Sequence, residues 1–153
     1  MLKALQDTYS PDNICFGCGP ANPRGLQIKS YARGDEVVAE FTPEEHHQAF
    51  SGVVNGGIIG TVLDCHMNWT AAYALMNETG TATIPPTVTA EFSVKLRRPT
   101  PAGEALRLAA HVVSIVGNKA EVEATVEALG EVTARGKGTF VAVGEDHPAA
   151  ERW

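Results

Sequence analysis

The run SGVVNGGIIGTVLDCHMNW, Ser51 to Trp69, places an acid, Asp64, inside an otherwise apolar stretch. It follows two adjacent glycines, Gly56 and Gly57, and stands seven residues after the second. Carboxylates are almost never fully buried unless something pairs with them. Two roles are open on residue type: a structural carboxylate at a subunit contact, or a general base or nucleophile. The glycines offer the other half of an acyl-transfer site. The first N–H groups of a helix have no partner within it and lie at the positive end of its dipole. Glycine has no side chain to block an approaching carbonyl. A fixed donor aimed at the oxyanion is worth about 3 kcal/mol of barrier. Gly57 N–H is the donor expected, with Gly56 beside it against the substrate. Thr61 and Asn68 lie three before and four after Asp64, on the same helix face, where they could orient it.

Seven residues of helix separate Gly57 from Asp64 by about 10 Å. One carbonyl cannot be about 3 Å from both. Joint action requires Gly57 of one subunit and Asp64 of another, hence at least a two-fold dimer.

Other reactive residues read more plainly. Cys15 and Cys18 form CFGCG, one C-x-x-C pair where zinc normally wants four ligands. No βαβ unit surrounds it, so a Gly-rich turn is expected, without metal or redox cofactor. A zinc-binding interaction module is the competing reading, and it predicts stoichiometric zinc. Cys65 reads as a small buried residue with no basic partner. His66, two residues from Asp64, points to the other side of the helix and reads as a core or interface histidine. His46 and His47 read as an exposed pair in a polar turn. Trp69 belongs to the core or an acyl-pocket wall.

The elements that position these groups follow from periodicity and turn residues. Residues 1–25, rich in Pro, Gly and Asn, read as an irregular arm. Strands are expected at 26–31 and 37–41, and a short helical turn over 43–50 capped by Thr42. The long helix spans about 55–77, with Asn55 as N-cap and Gly80 as stop. It is apolar nearly all round, so it must be buried nearly all round. TVTAEFSVKLRR alternates, with Val88, Ala90, Phe92, Val94 and Leu96 on one face and Thr89, Glu91, Ser93 and Lys95 on the other. Three more strands follow, separated by GN and GE hairpin signals. The tail, 145–153, reads as loose. This is an α+β chain in which one curved antiparallel sheet wraps the helix, and a second copy covers what remains.

Length and composition fit one soluble domain, 26–144. No apolar run reaches a membrane span and the start shows no secretory signal, so a cytoplasmic address is expected. A net charge of −6 disfavours nucleic acid and membrane surfaces as partners. Lys95, Arg97 and Arg98 still form a local cationic cluster suited to phosphates.

The sequence resembles the hotdog-fold thioesterases, in the branch that includes phenylacetyl-CoA thioesterase (PaaI-like), from about Gly25 to Val143. GVVNGGIIGTVLD, TVTAEFSVKLRRP, PAGE and the opening CFGCGPANPRGL carry the likeness. The resemblance implies a hotdog fold, with one long central helix wrapped by five to six strands. It implies hydrolysis of small or medium acyl-CoA by Asp64, with coenzyme A only as part of the substrate, in a homodimer or a dimer of dimers. It also implies Gly57 as oxyanion donor, and Thr89 where relatives place a Ser or Thr near the carboxylate. Asn68 assists. The chain departs from the family twice. Asn55 stands where a His is usual, and Ala49 where many members carry Asn, with Gln48 next door as a substitute. Asn55 motivates an alternative: a non-catalytic acyl-thioester binding protein on the same fold. A hotdog dehydratase, which uses a His with an acid, fits less well.

Overall fold

The computed structural model describes residues 2–153. Its centre is a 24-residue helix, α2 (Gly56–Thr79), following a five-residue helix, α1 (Leu5–Tyr9). Asn55 caps α2: its side chain accepts from the N–H groups of Gly57 and Ile58. At the other end Gly80 takes φ 71°, the left-handed conformation that closes a helix without a Cβ penalty. Six strands form one antiparallel sheet: β1 (Ser30–Arg33), β2 (Glu36–Phe41), β5 (Thr87–Leu96), β6 (Leu106–Val116), β7 (Lys119–Ala128) and β8 (Glu131–Ala142). Their spatial order is β1-β2-β6-β7-β8-β5. A small separate hairpin, β3 (Gln48–Phe50) with β4 (Val53–Val54), leads into α2.

The helix packs on the inward face of the sheet. Ile59, Val62, Leu63, Met67 and Trp69 meet inward residues such as Leu108, Val122, Val126 and Phe140, all fully buried. No helix among the described residues is long and apolar enough to cross a membrane.

Several expectations are corrected. Residues 26–29 do not join β1. They return along the Cys turn instead, with Leu26 N–H on Phe16 O and Ile28 N–H on Gly17 O, and Gln27 held at φ 51°. The turn before β3 is a 3-10 segment (Glu45–His47) capped by Glu44, not Thr42. His47 is buried rather than exposed: its Nδ1 accepts from Glu44 N–H at 2.9 Å and its ring stacks on Phe41. The arm contains α1, which is far too short to stand alone and is held by docking. The tail is not loose either. It forms a 3-10 turn (Pro148–Arg152), and the Trp153 ring lies 4.5 Å from that of Trp69.

His66 shows what docks the arm. It is fully buried, with Nε2 2.9 Å from Val37 O and Nδ1 2.8 Å from Ser30 Oγ. A carbonyl only accepts, so Nε2 carries the proton and Nδ1 accepts from Ser30. Gln6 Nε2 then donates to Ser30 Oγ at 2.9 Å, and Gln6 Oε1 accepts from Ser30 N–H at 2.8 Å. Every polar atom in this chain from α1 through β1 to α2 has a partner.

Two features of this fold bear directly on its stability. Burial lowers the His66 pKa from 6.5 to about 4. Between those values the unfolded chain binds a proton that the folded one does not. His66 therefore contributes stability above pH 6.5 that is lost as pH falls towards about 4, about 3 kcal/mol in all. Urea unfolding between pH 7 and 4.5 should show a steeper loss in the wild type than in His66→Gln. The β7–β8 turn is the other. It is built by Leu129 and Gly130, one residue earlier than GE, at φ 52° and 79°. Such a turn favours Asn-Gly, and Leu129 is exposed, so Leu129→Asn should raise stability by about 1 kcal/mol in the same assay.

Candidate active site

Over residues 62–72 every residue of α2 is buried except Asp64, which is half-buried; the first turns, including Gly56, Gly57, Gly60 and Thr61, and the last turns are more open. Asp64 Oδ1 accepts from Thr89 Oγ1 at 2.7 Å, and Thr89 Oγ1 in turn accepts from Asn68 Nδ2 at 3.1 Å. Thr89 thus donates its one proton to the acid while receiving one from the amide. Asn68 acts on Asp64 through Thr89 rather than directly. Its own Oδ1 is buried without a partner among the described residues. Thr61 does not orient the acid; its hydroxyl donates back to Gly57 O at 2.9 Å.

Strict alternation along β5 would turn Thr89 away from Phe92, and that expectation fails. A bulge lies between Thr89 and Glu91. Thr89 pairs with the buried Phe140, while Phe92 pairs with Gly138 and Leu96 with the buried Ala134. The extra residue, Ala90, lets Thr89 and Phe92 both face α2.

At the start of α2 the expected donor is occupied. Gly57 N–H donates to Asn55 Oδ1 at 2.7 Å, and Ile58 N–H shares that oxygen at 3.2 Å. Asn55 is fixed from behind, its N–H donating to His47 O at 2.8 Å. The donor left without a partner among the described residues is Gly56 N–H. A cavity of about 420 Å³ opens here, with Gly56, Ala49, Phe50, Ile59, Leu96, Arg97 and Arg98 among its walls. Gln48 is not free to replace the family Asn. Its Nε2 donates to Glu45 O and its Oε1 accepts from Gly52 N–H at 2.6 Å, bracing the β3–β4 turn.

The expected cationic cluster is divided. Arg97 and Arg98 line the cavity, and Arg98 is paired with Glu131. Lys95 instead joins Ser93, His111, Glu123 and Lys137 along a charged groove on the outer face of the sheet, away from Asp64. Cys65 is no nucleophile: hydrogen bonding to the Cys15 and Cys18 thiols, with burial behind it, pushes its thiol pKa well above the ordinary value.

One long helix against a six-stranded antiparallel sheet is the hotdog arrangement. Solved structures agree. A thioesterase superfamily protein from Shewanella loihica is 32% identical, with TM-score 0.67, over 82% of this chain and 98% of that one. The E. coli PaaI protein from the phenylacetic acid degradation operon shares the fold at 15% identity and TM-score 0.65, over 78% and 81% of the two chains. A conserved protein of Pseudomonas aeruginosa does so at 21% and 0.63, over 77% and 90%. No protein-family model and no curated protein matches the sequence. The chain belongs to the thioesterase superfamily.

The cap is directly testable. Asn55→Ala strips the acceptor from two N–H groups and should cost about 1 kcal/mol in thermal or urea unfolding, whereas Asn55→Asp should retain most of it.

Proposed function

We propose that this protein hydrolyses thioesters of small or medium acyl-CoA, with Asp64 of one copy acting on a carbonyl held at the start of α2 from a second copy. The observation that carries the reading is Asp64 itself. It is the one residue of the central stretch 62–72 that is not buried, and it is held by Thr89, which Asn68 supports. A thioesterase superfamily relative at 32% identity supports the reaction class.

The oxyanion donor in this scheme is Gly56 N–H rather than Gly57 N–H, because Asn55 already holds the latter. Gly56 and Asp64 are eight residues apart, about 12 Å along one helix, so a single copy cannot bring both to one carbonyl. The means of association are at hand. β5 is an edge strand of the sheet; Leu96 and Phe50 expose apolar surface at the cavity and Phe92 exposes more along β5. Edge strands and apolar patches of this kind call for a partner.

In the general-base route, Asp64 takes a proton from water and the resulting hydroxide attacks the carbonyl carbon. The oxyanion forms against the Gly56 amide. The C–S bond then breaks, and the coenzyme A sulfur leaves with a proton, giving a carboxylic acid and a thiol. In the nucleophilic route the Asp64 carboxylate attacks the carbonyl carbon and the C–S bond breaks, releasing the coenzyme A thiolate, which takes a proton from solvent. Water then cleaves the mixed anhydride, giving the carboxylic acid and restoring Asp64. Neither route calls on a metal or redox cofactor. The cavity's volume suits a small or medium acyl group. Arg97, which has no ion pair among the described residues, is the cation best placed for a coenzyme A phosphate.

A second reading, acyl-thioester binding without turnover, draws on Asn55, which supplies no titratable ring and occupies one helix N–H. Thiol release across an acyl-CoA panel separates the two. The expected outcome is turnover by the wild type with a loss of about 100-fold or more in Asp64→Ala and Asp64→Asn. Thr89→Val should show a smaller loss. Equal rates in the Asp64 variants would remove Asp64 from the mechanism. Coenzyme A ester binding with no turnover on any acyl group would favour the binder.

A further inference from the structure

Cys15 and Cys18 flank a tight turn in the N-terminal arm, and Cys65 reaches it from α2. Their three sulfur atoms lie within 4.8 Å of one another, and Cys15 Sγ is 3.8 Å from Cys65 Sγ. A disulfide needs about 2.05 Å. Thiolates held tetrahedrally at about 2.3 Å from zinc stand roughly 3.8 Å apart, the separation found between Cys15 and Cys65.

The turn is shaped to admit the third sulfur. A Cβ on residue 17 would lie 2.3 Å from Cys65 Sγ and 2.9 Å from Thr61 Cγ2, so the turn seats on the helix only with glycine there. Its backbone is fixed independently of the sulfurs. Gly19 N–H donates to Cys15 O at 2.8 Å and Cys15 N–H to Asn13 Oδ1 at 2.7 Å. Outside the cluster, the Trp69 indole N–H donates to Cys18 Sγ at 3.3 Å. Contacts of this kind orient a metal ligand and stabilise its charge. Cys18 and Cys65 are buried while Cys15 is half-exposed, which leaves one side for an ion to enter.

We propose that Cys15, Cys18 and Cys65 form a three-thiolate site for a thiophilic metal ion such as zinc, its fourth position filled from solution. Each thiol gives up one proton to solvent on binding, so one zinc(II) displaces three protons and no electron moves. The ion is a clamp between arm and helix. It sits one residue along α2 from Asp64 and takes no part in the thioester chemistry, so the site stands whether or not the hydrolase reading does.

The test uses the full chain, stripped by a chelator under reductant. Zinc is then titrated in competition with a chromophoric chelator, and cobalt(II) is added separately as a spectroscopic probe. One ion per chain is expected, with a thiolate-to-cobalt charge-transfer band and a higher melting temperature. Cys15→Ser, at the half-exposed position, should keep its far-ultraviolet circular dichroism yet bind at least about tenfold more weakly. Trp69→Phe keeps a ring and removes the N–H, and should also weaken binding about tenfold. Zinc binding that is unchanged in Cys15→Ser, or absent from the reduced wild type, would overturn the site. So would a disulfide among these cysteines in the protein as isolated, with no ion bound.

Discussion

A helix with almost no polar face cannot be left in water, and α2 is such a helix. Its apolar residues drive the sheet to pack over it, but burial on most sides creates a second demand. Every polar side chain it carries needs a partner in place of water. Thr70 bonds back to His66 O within the helix. His66 is met by Ser30 and Val37 O, which brings α1, β1 and β2 against it. Asn68 and Asp64 are met by Thr89 from the opposite edge of the sheet. The polar groups of one helix thereby fix both edges of the sheet, and Asp64 takes its orientation from that same requirement.

The helix start answers a different demand. Its first N–H groups must be satisfied, and each one left open is available to a ligand. Asn55 takes two of them and leaves one. A good cap and a bound ligand thus compete for the same donors, and here the cap holds Gly57 and Ile58 and leaves Gly56. That division depends on the loop before the helix. His47 O holds the Asn55 N–H, His47 is itself locked by Glu44, and Gln48 closes the adjoining turn onto Gly52.

Much of this was legible in the sequence. The long helix, its Asn55 cap and Gly80 stop, and the run of antiparallel strands follow from periodicity and turn residues, and the structure has them within a few residues. Asp64 was conspicuous because an acid in an apolar run demands a reason. What could not be read depends on distant parts of the chain. Nothing near Cys15 and Cys18 announces that a third sulfur arrives from Cys65. The Gly57 amide looks available until the Asn55 rotamer is known. Alternation alone would put Lys95 and Arg97 on one face; they part because β5 ends at Leu96, leaving Lys95 on the outer face while Arg97 and Arg98 line the cavity. His47 looked like surface because its turn is polar, yet the ring is drawn inward onto Phe41.

The bulge at Ala90 is the sharpest such case, because it decides whether the site exists. A period of two is the strongest local signal in β5, and it assigns Thr89 and Phe92 to opposite faces. The structure needs both on the inner face: Thr89 to reach Asp64, and Phe92 to lie beside the helix, where a Cβ on Gly60 would come within 4.0 Å of its ring. One inserted residue reconciles the two. Before it Thr87 and Thr89 point inward; after it Phe92, Val94 and Leu96 do. An edge strand tolerates this, since only one neighbour, β8, must absorb the lost register. The half before the bulge holds Asp64 through Thr89, and the half after it is apolar and ends at the cavity with Leu96. The break between them is set where the helix changes from carrying Asp64 and Asn68 to carrying glycines.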